Sequence, residues 1–432
     1  MYDHIIVGSG INGLLLGTML AHDGKKVLIL EKAPRIGGRA FLWEKDGFIV
    51  DYGVHLVRFG PHSSLAKVMN HIGEKIEFVK LGKSFVVDQD GERKIFPTKP
   101  VDFVKTNLFS FKEKLSAIKV MLKIKKGKIN FDDYMGKSLR EWLEEMKISG
   151  GLGRYFHLVS ASMMVCPFIE KVSVGEMLHN MEKVARLGHS AEYPKGGWKP
   201  IYEIITRTIA RNGEIKSDSS VDSVIIEKRR AVGVKVGKTT YNAKSVIINI
   251  PAQEMFSVLS EDLFESEYMK MCKNLLPTSG VFIDIGLKEH ISDLSGLLYT
   301  YDPKTFGLIT SNLETSVAPQ GKQLLTWFFP TTLEDMEDSA AAGKRENELW
   351  KAIRMYFPDI EKYIEWRRVS KLRVIDGVQV NTEQTIEARP TSEVPGIKNL
   401  FLVGDSIAAP GAGGDVGSES IELTYKAIEK AA

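Results

Sequence analysis

Residues Gly8-Ser9-Gly10-Ile11-Asn12-Gly13 set three glycines at the spacing G-x-G-x-x-G, and a carboxylate, Glu31, follows roughly 20 residues on. The chemistry this pattern serves is the holding of a dinucleotide. The first glycine permits a tight turn, the second lets backbone approach a pyrophosphate, and Gly13 with Gly17 lets a helix lie close against a strand. N–H groups at the start of that helix would bind phosphate, and Glu31, beside Lys32, would accept hydrogen bonds from ribose hydroxyls. The elements that must position these groups are legible. Ile5-Ile6-Val7 is a short apolar run, a helical pattern follows the glycines, and Val27-Leu28-Ile29-Leu30 is a second run ending at Glu31. Strand, turn, helix and strand predict an α/β fold of Rossmann type with a parallel sheet. Taken alone the unit leaves FAD and NAD both open, since each carries an ADP moiety.

Composition narrows the function classes. The chain has 432 residues, more than one hydrophobic core usually fills, so two domains or one with large insertions are expected. With 43% hydrophobic and 26% charged residues and a net charge of +3, it has neither the signature of disorder nor the localised basic excess of a nucleic-acid binder. Cys166 and Cys272 lie far apart without a CxxC partner, and the nine histidines show no metal-ligand spacing, so neither a disulfide framework nor a metal is expected. An early buried strand leaves no room for a signal peptide, no apolar run is long enough to span a bilayer, and a reducing, cytoplasmic setting is expected.

Glu31-Lys32-Ala33-Pro34-Arg35-Ile36-Gly37-Gly38-Arg39 resembles the E-x-x-x-x-x-GGR segment of the amine oxidase and phytoene desaturase flavoprotein superfamily. That resemblance selects FAD and implies a Rossmann-like, GR2-type FAD domain with Gly38 and Arg39 against the pyrophosphate and flavin. Asp51-Tyr52-Gly53-Val54-His55 is similar to the family's D-x-G-x-H element, so Gly53 and Val54 are expected near the flavin ring, with His55 on the substrate side as first candidate for moving a proton. Tyr52 and Arg58 are close in sequence, but alternation along a strand would turn them elsewhere. Near the chain's end, an apolar run over 399–403 leads into Gly404-Asp405, and the resemblance places Asp405 at the ribityl-phosphate region. Pro410-Gly411-Ala412-Gly413-Gly414-Asp415-Val416-Gly417 then opens a final helix, whose positive end would point at the flavin pyrimidine edge, with Gly414, Val416 and Gly417 supplying backbone. A segment at 193–198 matches the family's P-x-GG element before a helix over 200–211. Strands are read over 219–226, 231–236 and 245–248, with Val221 at the position that meets adenine.

The resemblance covers both termini and the middle, which divides the chain into a discontinuous FAD domain at 1–75, 190–255 and 390–432 and an inserted α+β substrate domain. Of its two pieces, 76–189 reads as largely helical and 256–389 as strand-containing, with runs over 281–285, 297–301 and 324–329. Val104, Leu108, Leu115, Ile118 and Leu122 recur at helical spacing amid lysines over 104–126. A surface helix packed on the core explains the pattern, and peripheral contact with the cytoplasmic face of a membrane is the second reading. The glycine-rich PGAGGDVG resembles carotenoid desaturases and isomerases more than amine oxidases, which implies an apolar small-molecule substrate, isoprenoid or another alkene, and an electron acceptor of unspecified identity. Asp415 departs from that group by placing a charge where it usually has none. Amine or amino-acid oxidation is the enzyme alternative, kept open by Lys195 and Trp198, and a flavin-bound scaffold is the non-enzyme alternative.

Overall fold

The computed structural model describes residues 1–432 except 88–90, 127, 128, 189 and 432 and the side chain of Lys125. Five parallel strands lie side by side in the order Gly213–Lys216, Val27–Leu30, Tyr2–Val7, Thr239–Ile248 and Leu400–Leu402. Their register aligns the carboxyl ends: Val7 lies opposite both Leu30 and Ile248, Leu30 opposite Lys216, and Ile248 opposite Leu402. The residues that leave each strand are therefore delivered to one edge, where open α/β sheets bind ligands. The strands run apolar because both faces are covered. Ile6, Ile29, Ile247 and Phe401 pack under the helices Ile11–His22, Lys199–Ile209 and Gly414–Ala431, whereas Ile5, Leu28, Val246 and Leu400 face an antiparallel layer containing Ser223–Glu227 and Arg230–Val236.

A second, mostly antiparallel sheet has the order Ile364–Leu372, Ser279–Leu287, Gln323–Thr331, Thr305–Ile309, Leu298–Thr300, Phe85–Val87, Arg93–Ile95. Its two long central strands are buried along their whole length. Alternation sorts their side chains: Val281, Ile283 and Ile285 pack with Leu349 and Ile353 of the helix Ser339–Tyr356, whereas Phe282 belongs to the core on the other face.

Three expectations need correction. Residues 76–98 are not helical but carry the strands Phe78–Lys80, Phe85–Val87 and Arg93–Ile95, because distant partners recruit them, Phe85 lying opposite Leu298. The strand expected over 219–226 begins only at Ser223, and Ser219 instead donates its N–H to the Glu31 carbonyl at 2.7 Å. The basic segment is two helices, Pro100–Lys105 and Phe111–Lys125, and Ser110 restarts the second through a reciprocal cap with Glu113. The restart also reverses the expected packing. Ala117, Val120 and Ile124 turn inward, while Val104, Leu115, Ile118 and Leu122 are exposed, and Leu108 is buried in the link between the helices. No helix among the described residues is long and apolar enough to cross a membrane.

Candidate active site

A cavity of about 1010 Å³ opens along the carboxyl edge of the parallel sheet and extends to the second sheet. Its first wall is the glycine turn. Gly8 adopts φ +97°, and a Cβ there would lie 2.8 Å from the Asn249 carbonyl oxygen. The helix after this turn starts at Gly10 with no side-chain cap and no acid in its first turn, and Ile11 and Asn12 lie on the cavity wall. Its first N–H groups thus lack an intrahelical acceptor and suit an anion. Glu31 is held firmly: Oε2 accepts from the Ser9 N–H at 2.8 Å and the Ser9 hydroxyl at 2.7 Å, and Oε1 accepts from the Ala33 N–H at 2.8 Å. Lys32 and Val221 line the same end with Ser219 and Ser220. An uncapped helix start, a turn with no room for side chains and a braced carboxylate together fit the ADP half of FAD.

Chain segments remote in sequence meet next to this turn. A Cβ on Gly38 would sit 3.1 Å from the Gly10 Cα. Arg39 donates from Nη1 and Nη2 to the two Asp405 carboxylate oxygens, both at 2.8 Å, and from Nη1 to the Ile375 carbonyl at 2.7 Å. Asp405 also accepts the Gly377 N–H at 2.8 Å, so one carboxylate ties the 405 loop to a 375–377 loop. Gly404 and Gly414 line the cavity as well. Gly53 approaches the second sheet closely, a Cβ there falling 2.9 Å from the Phe282 ring, and Val54 and His55 continue along the wall. Burial pushes the His55 imidazole down to about 4, so the ring is neutral at neutral pH. Its carbonyl accepts the Trp198 indole N–H at 2.9 Å.

Four of the residues expected to touch cofactor do not reach the cavity wall. Ser9 acts through Glu31. A Cβ on Gly13 would stand 2.3 Å from the Asn249 Nδ2, so Gly13 makes room for Asn249. Val416 is fully buried in the sheet core. Gly417 abuts Asn12, with 2.2 Å between an added Cβ and Nδ2. Conversely Tyr52 and Arg58 do line the cavity, because residues 53–56 form no strand and the alternation that would turn them away does not apply. Sequence reading also missed Asn249, whose amide donates to the Gly8 and Gly10 carbonyls at 2.9 and 3.1 Å, and Asp376 on the cavity wall. Asn249 directly follows the apolar run over 245–248, which marks a strand in the sequence but not its pairing with the first.

The far half of the cavity differs in character. Phe282, Phe306 and Phe328 come from the second sheet, with Phe282 and Phe328 stacked at 4.3 Å, Phe96 follows that sheet's edge strand Arg93–Ile95, and Phe103 and Tyr155 line the same half from the helical insertion. Lys195 is elsewhere, paired with Glu77 at 2.7 Å and 64% exposed. Among the described residues no group of three His, Cys, Asp or Glu could hold a metal ion.

The family described as flavin containing amine oxidoreductase matches residues 11–417. An uncharacterized protein of Methanocaldococcus jannaschii is 25% identical over 331 residues, covering 74% of this chain and 75% of that one. Prolycopene isomerase of Daucus carota is 25% identical over 78% of this chain, a match spanning 62% of the isomerase, and 4,4'-diapolycopen-4-al dehydrogenase of Metabacillus indicus is 21% identical over 98% of this chain and 96% of that protein. In fold, an oxidoreductase of Methanosarcina mazei superposes with a TM-score of 0.84 at 20% identity, over 99% of this chain and 100% of the other. Putrescine oxidase superposes at 0.78 with 14% identity, over 99% and 98%.

Proposed function

The chain belongs to the flavin containing amine oxidoreductases and is an FAD-dependent oxidoreductase, and from that premise we propose that it moves hydride to or from an apolar, alkene-type substrate of isoprenoid character. The observation that carries this reading is the aromatic far half of the cavity, where Phe96, Phe103, Tyr155, Phe282, Phe306 and Phe328 offer apolar contact along an extended chain. Relatives named as a prolycopene isomerase and a 4,4'-diapolycopen-4-al dehydrogenase support it. Bound FAD supplies a centre that accepts or returns hydride, a chemistry no side chain provides.

The protein's part in this reading is to bind, orient and keep dry. Gly8, Gly10, Asn12, Glu31 and Lys32 hold the ADP half, with Val221 toward adenine. Arg39 and Gly38, with Gly404 and Asp405, hold the middle of the cofactor. Gly53, Val54 and Gly414 border the ring, and the aromatic wall excludes water from the hydride path. If a proton moves as well, His55 is the candidate, and its neutral ring is in the state that accepts one. The amine alternative loses the support of Lys195, which pairs with Glu77 at the surface, and keeps that of Trp198, which lines the cavity.

The exposed face of the 100–125 helices belongs to the same reading. Its inner side contributes Phe103 and Met121 to the cavity, while Val104, Phe111, Leu115, Ile118 and Leu122 stand outside among lysines. An apolar face ringed by positive charge suits an anionic lipid surface, from which an apolar substrate would enter. Cosedimentation with phosphatidylserine vesicles, lost in Ile118→Glu and absent with phosphatidylcholine alone, tests that contact.

The decisive test is spectroscopic. Anaerobic protein with oxidised or chemically reduced FAD is mixed with an isoprenoid alkene panel and an amine panel, and flavin absorbance is followed. A redox change with an isoprenoid and none with amines is expected. A change with amines alone would replace the reading by amine oxidation, and no change with either panel would favour a flavin-bound scaffold.

A further inference from the structure

The final helix, Gly414–Ala431, carries Asp415 in its first turn. This residue lies on the cavity wall, is 5% exposed, and its Oδ2 is buried with no hydrogen-bond partner among the described residues. The loop before it is shaped around the carboxyl: Gly411 adopts φ +121°, and a Cβ there would come within 2.8 Å of that oxygen. The charged groups around it are otherwise engaged. Arg58 gives its donors to the Met163 and Ala412 carbonyls at 2.9 and 3.2 Å and to Asn180 Oδ1 at 3.0 Å. Lys183 pairs with Glu419 at 2.8 Å, Lys67 with Glu422 at 3.1 Å, and Asp376 accepts the Thr278 hydroxyl at 2.9 Å.

A buried carboxylate oxygen left without a donor is costly, whereas the protonated acid needs only one acceptor for its own O–H. The helix start pulls the other way, because its partial positive charge favours the anion. Burial prevails and pushes Asp415 up to about 6, against the attraction of Arg58 and Lys183. Below about pH 6 the side chain is therefore a neutral acid and above it an anion, on the cavity wall with Oδ2 turned to the Gly411 loop.

We propose that Asp415 carries an exchangeable proton and, as a carboxylic acid, donates a hydrogen bond to the pyrimidine edge of the bound flavin, so that flavin reduction is coupled to protonation of this side chain. The proposal rests on the cofactor placement under the proposed function and on no substrate. Two electrons, from the mediator in a titration or from the hydride of the proposed reaction, would reduce the flavin together with the one proton that its N5 takes. Where Asp415 is ionised in the oxidised holoprotein, it takes one proton from solvent as negative charge gathers at that edge, and it gives the proton back on reoxidation.

The experiment is a redox titration of the purified holoprotein with mediator dyes between about pH 5 and pH 9, for wild type, Asp415→Asn and Glu419→Gln. One extra proton taken up with two electrons steepens the potential by about 30 mV per pH unit, the tenfold-per-unit change of a two-electron couple. The wild type and Glu419→Gln are expected to show that break, and Asp415→Asn, which keeps a donor but cannot ionise, to lack it. A wild-type profile without a break, or a break that persists in Asp415→Asn, overturns the proposal. If Asp415→Asn fails to hold flavin, the redox difference infrared spectrum of the wild type decides: a carboxylic-acid carbonyl band sensitive to D2O supports the proposal, and its absence overturns it. Asp415→Ala separates the cofactor placement from the proton. A flavin spectrum and potential unchanged at every pH in this variant overturn the placement of the helix at the flavin, while a shifted potential with the break intact overturns only the proton.

Discussion

Two helix starts share this cavity and are built differently. The first, at Gly10, has no cap and no acid in its opening turn, and the last opens with Gly414-Asp415. They are neighbours, since Gly417 of one packs against the Asn12 side chain of the other. Each helix presents a partial positive charge of about half an electron. Left bare, as at Gly10, that charge suits a group that is always anionic, such as a pyrophosphate. Opposed by a carboxyl whose charge depends on pH, as at Asp415, it suits a group whose own charge changes during turnover. Glycine content reports only that backbone comes close to a ligand, and the residue in the first turn reports which electrical state of the ligand is favoured.

Substitutions at the two starts can break or sharpen this comparison. The largest effect is expected from Gly13→Val, because even a Cβ there meets the Asn249 side chain at 2.3 Å and must push its amide off the Gly8 and Gly10 carbonyls that it braces. The purified variant should contain almost no FAD, a weakening of more than about 100-fold, read as the ratio of flavin to protein absorbance. A fully loaded variant would refute the bare helix start as the cofactor's anchor. Second is the stability difference between wild type and Asp415→Asn. An acid whose folded pKa, about 6, lies above its unfolded value near 3.8 makes the fold bind the proton more tightly. The stability it contributes is fully present below the unfolded value and is lost as pH rises through about 6, some 3 kcal/mol at most. His4, His55 and His157, which burial pushes down to about 4, titrate in the opposite sense but cancel in the difference. Urea denaturation at several pH values measures it, and a flat difference would remove Asp415 as the titrating group.

Smaller effects probe the first start. Glu31→Ala removes the ribose acceptor and strands both Ser9 donors, so the FAD dissociation constant should rise about 30-fold, some 2 kcal/mol, with the flavin spectrum unchanged. Asn12→Asp makes the first start resemble the last. It should weaken FAD by about tenfold above neutrality and recover as the new acid is protonated, a pH dependence that the wild-type first start lacks. Fluorescence titration across pH reads both variants.

How much could be read from the chain alone depends on the range of each signal. The βαβ unit was legible because a glycine turn, an apolar run and a terminal acid all act within about 30 residues. The restart at Ser110 was equally local, its Ser110-Phe111-Lys112-Glu113 spacing being a capping box, but a continuous apolar repeat over 104–126 concealed it. Asn249, Asp376 and Arg58 have no such signature. Asn249 reaches the glycine turn through the pairing of Val7 with Ile248, and Asp376 arrives with a loop clipped to Asp405.

Sequence by itself determined the class of cofactor, the family and the two glycine-rich approaches, because backbone that must come close to a ligand admits so few residue types that their spacing survives as a pattern. Tertiary structure decided which side chains surround the ligand, which face of the 100–125 helices looks outward and whether Asp415 has a partner. These depend on strand register and on burial, quantities set by contacts between segments hundreds of residues apart, such as Arg39 with Asp405 and Asp415 beside Arg58.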